Sequence, residues 1–148
     1  MDTRSPVRID FYVLSEEDDA APLRFACRLA EKAVEQGHRV HLRTASPPQT
    51  QRIDDLLWTF SDRSFLPHEL TTGGSASHER IMVLVGESVA PPSHRQLLIN
   101  LTDALPEDFG DYQRVAEIVA ADPERKRLGR ERYKGYRERG CTLESHNV

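Results

Sequence analysis

The chain lacks most of what a cross-linked, membrane-spanning or phosphate-gripping protein needs. Only two cysteines, Cys27 and Cys141, occur in 148 residues, too few for a disulfide-stapled secreted scaffold. Cys27 falls on the apolar stripe of a helical stretch, which suits a buried free thiol. The longest uninterrupted apolar run, residues 81–85, is far short of the ~20 residues that cross a bilayer, so no membrane association is expected. No basic stretch followed by an apolar one opens the chain, so a signal peptide is not expected and a cytoplasmic location is. Net positive charge is missing as well: 20 Lys and Arg against 24 Asp and Glu give −4. That balance argues against direct nucleic-acid binding through phosphate neutralisation.

What is present is the composition of one soluble globular domain spanning residues 1–148, with 38% hydrophobic and 30% charged residues. Residues 7–14 alternate Val7, Ile9, Phe11 and Val13 and then become apolar on both faces, as a sheet strand does. Leu23, Ala26, Cys27, Ala30, Ala33 and Val34 follow helical spacing, and Gly37 is placed to stop that helix. A strand is expected over residues 38–44. Ser46 and Pro47 then supply a cap and a first-turn proline for a second helix, with core stripe Ile53, Leu56, Leu57 and Phe60. Residues 64–78 read as a long loop with a turn at Gly73 and Gly74, and residues 81–85 and 97–101 as short buried strands. Residues 115–121 lean to a strand, and Asp122 with Pro123 opens a last helix running to about Gly140. Strands alternating with helices predict an α/β fold: a single Rossmann-like three-layer domain with a mostly parallel sheet.

Catalytic chemistry is hard to find. The first strand-to-helix turn is Ser15-Glu16-Glu17-Asp18-Asp19, which has no glycine and four acids that would repel a phosphate. Six histidines are scattered, and none has metal-ligand spacing with another, so neither a metal nor a cofactor is expected. The acidic pairs Glu16/Glu17 and Asp54/Asp55 lack a nucleophile with a base beside it.

Two constellations point to binding instead. Trp58, the only tryptophan, lies roughly 100° or more off the stripe of its helix and is followed by Phe65, Leu66, Pro67 and Leu70. Such a group forms either a protein–protein hot spot or an internal cover over the helix. The second constellation is residues 122–139, with eight basic and four acidic side chains. This segment is +4 and leaves the remainder of the chain at −8. Lys126, Arg130, Tyr133, Lys134 and Arg137 share one helical face. That face is either a solvated charged surface, with pairs such as Arg127–Glu131, or a site for carboxylates and rings, or for phosphates.

The run Arg130-Glu131-Arg132-Tyr133-Lys134-Gly135-Tyr136-Arg137, followed by Gly140, closely resembles the C-terminal signature of the chi subunit family of bacterial DNA polymerase III. The stretches IDFYVL (9–14), IDDLLWTF (53–60), SFLPHEL (64–70) and LLINL (97–101) agree in order and spacing. The resemblance implies a Rossmann-like fold without nucleotide chemistry and a non-catalytic accessory subunit of the clamp loader. It implies two partners, the psi subunit and the acidic C-terminal tail of single-stranded DNA-binding protein. For the tail it implies Arg130, Tyr133 and Lys134, with Lys126 and Val119 bordering the pocket. For psi it implies Trp58, Phe65 and Pro67, with His68 and Leu70 beside them. The alternative from another class is a small-molecule or nucleotide-binding α/β module. Direct nucleic-acid binding by the basic helix is disfavoured, because the −8 remainder repels DNA.

Overall fold

A computed structural model describes residues 7–60, 66–71 and 74–148. Its strands are β1 (Arg8–Val13), β2 (Val40–Arg43), β3 (His68–Leu70), β4 (Val83–Gly86), β5 (Leu97–Asn100), β6 (Arg114–Val119) and β7 (Thr142–Asn147). Its α-helices are α1 (Ala21–Glu35), α2 (Pro47–Thr59) and α3 (Pro123–Glu138). The strands form one sheet in the order β3-β4-β2-β5-β6-β1-β7, and every pairing is parallel. β2, β4 and β5 are buried at every position, as central parallel strands covered on both faces must be.

The helix boundaries follow from their end residues. Ser46 accepts the Gln49 amide proton at 3.3 Å, and Asp122 accepts that of Arg125 at 2.7 Å; a proline follows each cap. Past the far ends of α1 and α3, Gly37 (φ +83°) and Gly140 (φ +77°) adopt the left-handed turn that lets the chain reverse. α1 and α2 bury their apolar stripes on one face, against Val40, Leu42, Val83, Val85, Leu97, Ile99, Ala116 and Ile118. α3 covers the other face over Ile9, Phe11, Leu98, Val115 and Val119. Alternate residues of β6 thus serve opposite layers, and the architecture is the expected three-layer α/β fold.

Two elements differ from the sequence reading. The segment read as a loop over residues 64–78 contains the three-residue strand β3, paired with β4 from His68↔Val83 to Leu70↔Val85. Three residues carry no period, which is why hydrophobic alternation misses it. β7 was not anticipated either. Its sequence TLESHN is polar, and only its inner edge pairs, with β1. Of the Gly73–Gly74 turn, Gly73 lies outside the described residues.

Candidate functional site

α3 carries the basic face and is placed unusually close to the sheet. A Cβ on Gly129 would lie 3.1 Å from both methyls of Val119, so glycine is what lets the helix approach β6 at this point. The closeness leaves a pocket of about 150 Å³ beside it. Its walls are Phe11 and Val13 of β1, Val119 of β6, Ser145 of β7, and Lys126, Gly129, Arg130 and Tyr133 of α3. Phe11 and Tyr133 meet with ring centroids 5.2 Å apart. The result is an apolar floor with a cationic rim.

Four residues singled out in the sequence, Lys126, Arg130, Tyr133 and Val119, come together here. Lys134 lies outside the lining but exposed, one turn beyond Arg130. Among the described residues Lys126, Arg130, Lys134 and Arg137 form no ion pair. Arg127, by contrast, is held between Glu124 and Glu131, and Arg125 is held by Asp103. The charged face is therefore divided: Glu124 and Glu131 are taken up by Arg127, and the cations beside the pocket are left available. Sequence reasoning missed Phe11, Val13, Gly129 and Ser145. The alternation of β1 marks Phe11 and Val13 as one face, but it does not say that a pocket is left between them and α3.

Arg132, which does not fit the outward basic face, is buried. Its Nε donates to Glu117 Oε1 at 2.9 Å, and Glu117 is itself fully buried on β6. Tyr136 Oη donates to Glu117 Oε2 at 2.6 Å, and Asn100 Nδ2 donates to both carboxylate oxygens at 3.0 Å. Burial pushes the Glu117 carboxyl above its ordinary range, and the Arg132 guanidinium opposes that shift.

The second group gathers at the end of α2. Trp58 is 58% exposed, which excludes the reading in which it is internally covered. Its ring meets His68 edge-on at 4.8 Å. His68 Nε2 lies 3.1 Å from Asp54, and its Nδ1 lies 2.7 Å from the Leu66 carbonyl. Pro67 precedes β3, its carbonyl accepting from Met82 and Val83, and Leu70 is 40% exposed on the same edge strand. Trp58, Pro67, His68 and Leu70 thus share one corner of the molecule. Phe65 lies outside the described residues.

The positions where other chemistries would sit are otherwise engaged. A cavity of about 330 Å³ opens at the turn after β1, lined by Glu16, Glu17, Asp18 and Asp19 with Asp103 and Asp122. Asp18 already accepts the Ala20 amide proton at 2.9 Å at the start of α1, where a phosphate would bind. Asp10, Glu144 and His146 bring three ligand atoms within 4.8 Å of one another. Asp10, however, accepts from Arg114 at 2.7 Å, Arg8 at 3.1 Å and His146 at 3.0 Å. Two guanidinium groups on the shared carboxylate make this an ion-pair network that disfavours a metal ion. Burial pushes the Cys27 thiol up to about 12, the reverse of what a nucleophile needs. No helix among the described residues is long and apolar enough to cross a membrane.

Comparison with known proteins adds one family. The model of the family described as DNA polymerase III chi subunit, HolC, matches residues 7–144. The chain is 39% identical over 141 residues to DNA polymerase III subunit chi of Pseudomonas aeruginosa, covering 95% of this chain and 96% of that protein. It is 30% identical over 138 residues to the Haemophilus influenzae subunit chi, covering 93% and 95%, respectively. It is 28% identical over 137 residues to the Escherichia coli K12 subunit chi, covering 90% and 92%.

Proposed function

The chain belongs to the DNA polymerase III chi subunit family, and from that premise we propose that it is a non-catalytic adaptor in DNA replication. In this reading it joins single-stranded DNA-binding protein, through that protein's acidic tail, to the psi subunit of the clamp loader. The observation that carries the reading is the pocket beside α3, where Lys126 and Arg130 rim a floor of Phe11, Val13, Val119 and Tyr133. Cations above an apolar cleft suit a peptide that ends in carboxylates and a ring. Arg130 and Lys134, one turn apart, hold the carboxylates, and the cleft takes the ring. The psi surface is the corner of Trp58, Pro67, His68 and Leu70, and the family resemblance adds Phe65 to the residues that meet psi. Trp58 is a large exposed aromatic there, the side-chain type that dominates interface energetics.

The test is a titration of a labelled tail peptide with the wild type and with Arg130→Ala or Lys134→Ala. Loss of one charge-assisted contact is worth about 1.5–3 kcal/mol, roughly a 10- to 150-fold loss of affinity. Equal binding by all three proteins, or none by any, contradicts the tail assignment. Co-expression with psi tests the other corner: Trp58→Ala or Phe65→Ala is expected to stop co-purification, and full recovery of the complex contradicts that surface.

A further inference from the structure

α3 is held over the sheet by the rings of Tyr133 and Tyr136, which meet Phe11 at 5.2 and 5.9 Å, and beneath them by a buried polar clamp. Of its sixteen residues, only Gly129, Arg132 and Tyr136 are buried. Gly129 offers no side chain. Arg132 and Tyr136, one turn apart, both donate to the single carboxylate of Glu117, at 2.9 and 2.6 Å, and Arg132 Nη1 also donates to the Asp103 carbonyl at 3.1 Å. Asn100 fills the remaining capacity of the Glu117 oxygens. An apolar stripe tolerates a small roll of the helix. A buried ion pair does not, because a displaced guanidinium or carboxylate is left without its partner in a dry interior. Rolling α3 by one residue, about 100°, would break both bonds together.

The same roll would dismantle the pocket. Arg130 and Tyr133 flank Arg132 in the sequence, and Gly129 is one turn before Tyr133. Glu117 lies two residues from Val119, on the same face of β6. We propose that Glu117, Arg132 and Tyr136 are positioning residues for the pocket. Their clamp fixes the rotation and height of α3, so that Arg130 and Tyr133 meet over Phe11 and Val119. This inference rests on the tail reading of the pocket, and it adds that the geometry of that pocket is set by buried charge beneath it.

The test uses the full chain and a synthetic acidic peptide ending in phenylalanine. Replacing a buried ion pair by apolar residues of similar size often leaves stability intact. The double variant Glu117→Leu/Arg132→Met therefore separates folding from positioning. The clamp predicts a folded chain with a lowered melting temperature, because Tyr136 and Asn100 lose their shared acceptor, together with loss of the NMR contact between the Phe11 and Tyr133 rings and peptide affinity lower by about tenfold or more. Tyr136→Phe removes one donor only and is expected to weaken binding by ~3-fold, with the fold retained. A folded double variant with wild-type affinity and the ring contact intact overturns the proposal. Should the double variant fail to fold, Tyr136→Phe decides: unchanged affinity overturns the clamp, and weakened affinity in a chain that remains folded supports it. A wild-type chain that binds no peptide overturns the tail reading itself, and the clamp's role falls with it.

Discussion

At the scale of the residue, single atoms decide what the pocket and the core do. Gly129→Ala is instructive, because two effects oppose each other. Alanine gains roughly 1 kcal/mol of helix propensity over glycine. Its methyl, however, would sit 3.1 Å from both Val119 methyls, and overpacking of this kind costs about 1–3 kcal/mol. The contact is expected to match or outweigh the propensity and to push α3 outward, so tail-peptide affinity falls. Adding Val119→Ala relieves the contact, and a double-mutant cycle on peptide affinity should show strong coupling between the two positions.

His41 makes a different prediction. Burial first, and then the nearby Arg43, hold its pKa down to about 3, and its Nδ1 lies 2.8 Å from Tyr112 Oη. An unfolded histidine titrates near ~6.5, so between those values the unfolded chain binds the extra proton. The stability that depends on neutral His41 is complete above about 6.5 and is lost as the pH falls toward 3. Urea midpoints should therefore drop between pH 7 and pH 5, and His41→Leu should flatten that dependence. Asp108, held below the usual carboxylate range by the Arg43 fork at 2.6 and 2.7 Å, adds a further loss only in stronger acid.

At the scale of the element, legibility in the sequence followed periodicity and caps. α1, α2 and α3 each announce themselves by an apolar stripe or by a Ser-Pro or Asp-Pro start, and each ends where a glycine or a stripe ends. β4 and β5 read as short apolar runs because both of their faces are buried, and β2 was legible as a strand although His41 and Arg43 interrupt it. β3 and β7 escaped, one for having three residues and the other for being a polar edge. The site divides in the same way. The spacing of Lys126, Arg130 and Tyr133 along α3 shows that they share a face. That Phe11, Val13 and Ser145 complete the pocket depends on strand order, with β1 between β6 and β7, and no local pattern encodes strand order. Arg132 is the clearest case: helical spacing puts it with Leu128, Gly129 and Tyr136 on the arc that packs on the sheet, where a cation does not fit by itself, and the carboxylate that receives it is fifteen residues away on β6. For Trp58 the helical angle shows that it leaves the stripe, and only its exposure in the folded chain shows that it is not internally covered.

At the scale of the whole molecule, charge is sorted by place. The turn after β1 and its cavity are acidic, and the rim of the α3 pocket is basic. On the proposed reading, an acidic body with a basic cleft is expected to draw an acidic peptide to that cleft and to disfavour nucleic acid elsewhere. Tail binding is therefore expected to weaken as salt rises from 50 to 300 mM. Binding at the corner proposed for psi, built around Trp58, Pro67 and Leu70, should change much less over the same range, as isothermal titration of each partner would show.

The adaptor reading requires both surfaces to work at once, and bridging measures that directly. Immobilised psi is offered single-stranded DNA-binding protein with and without this chain, and with the tail intact or its last residues removed. The account predicts capture only when the chain is present and the tail intact, and loss of capture with Arg130→Ala. Capture that is independent of the chain, or that survives removal of the tail, would contradict it.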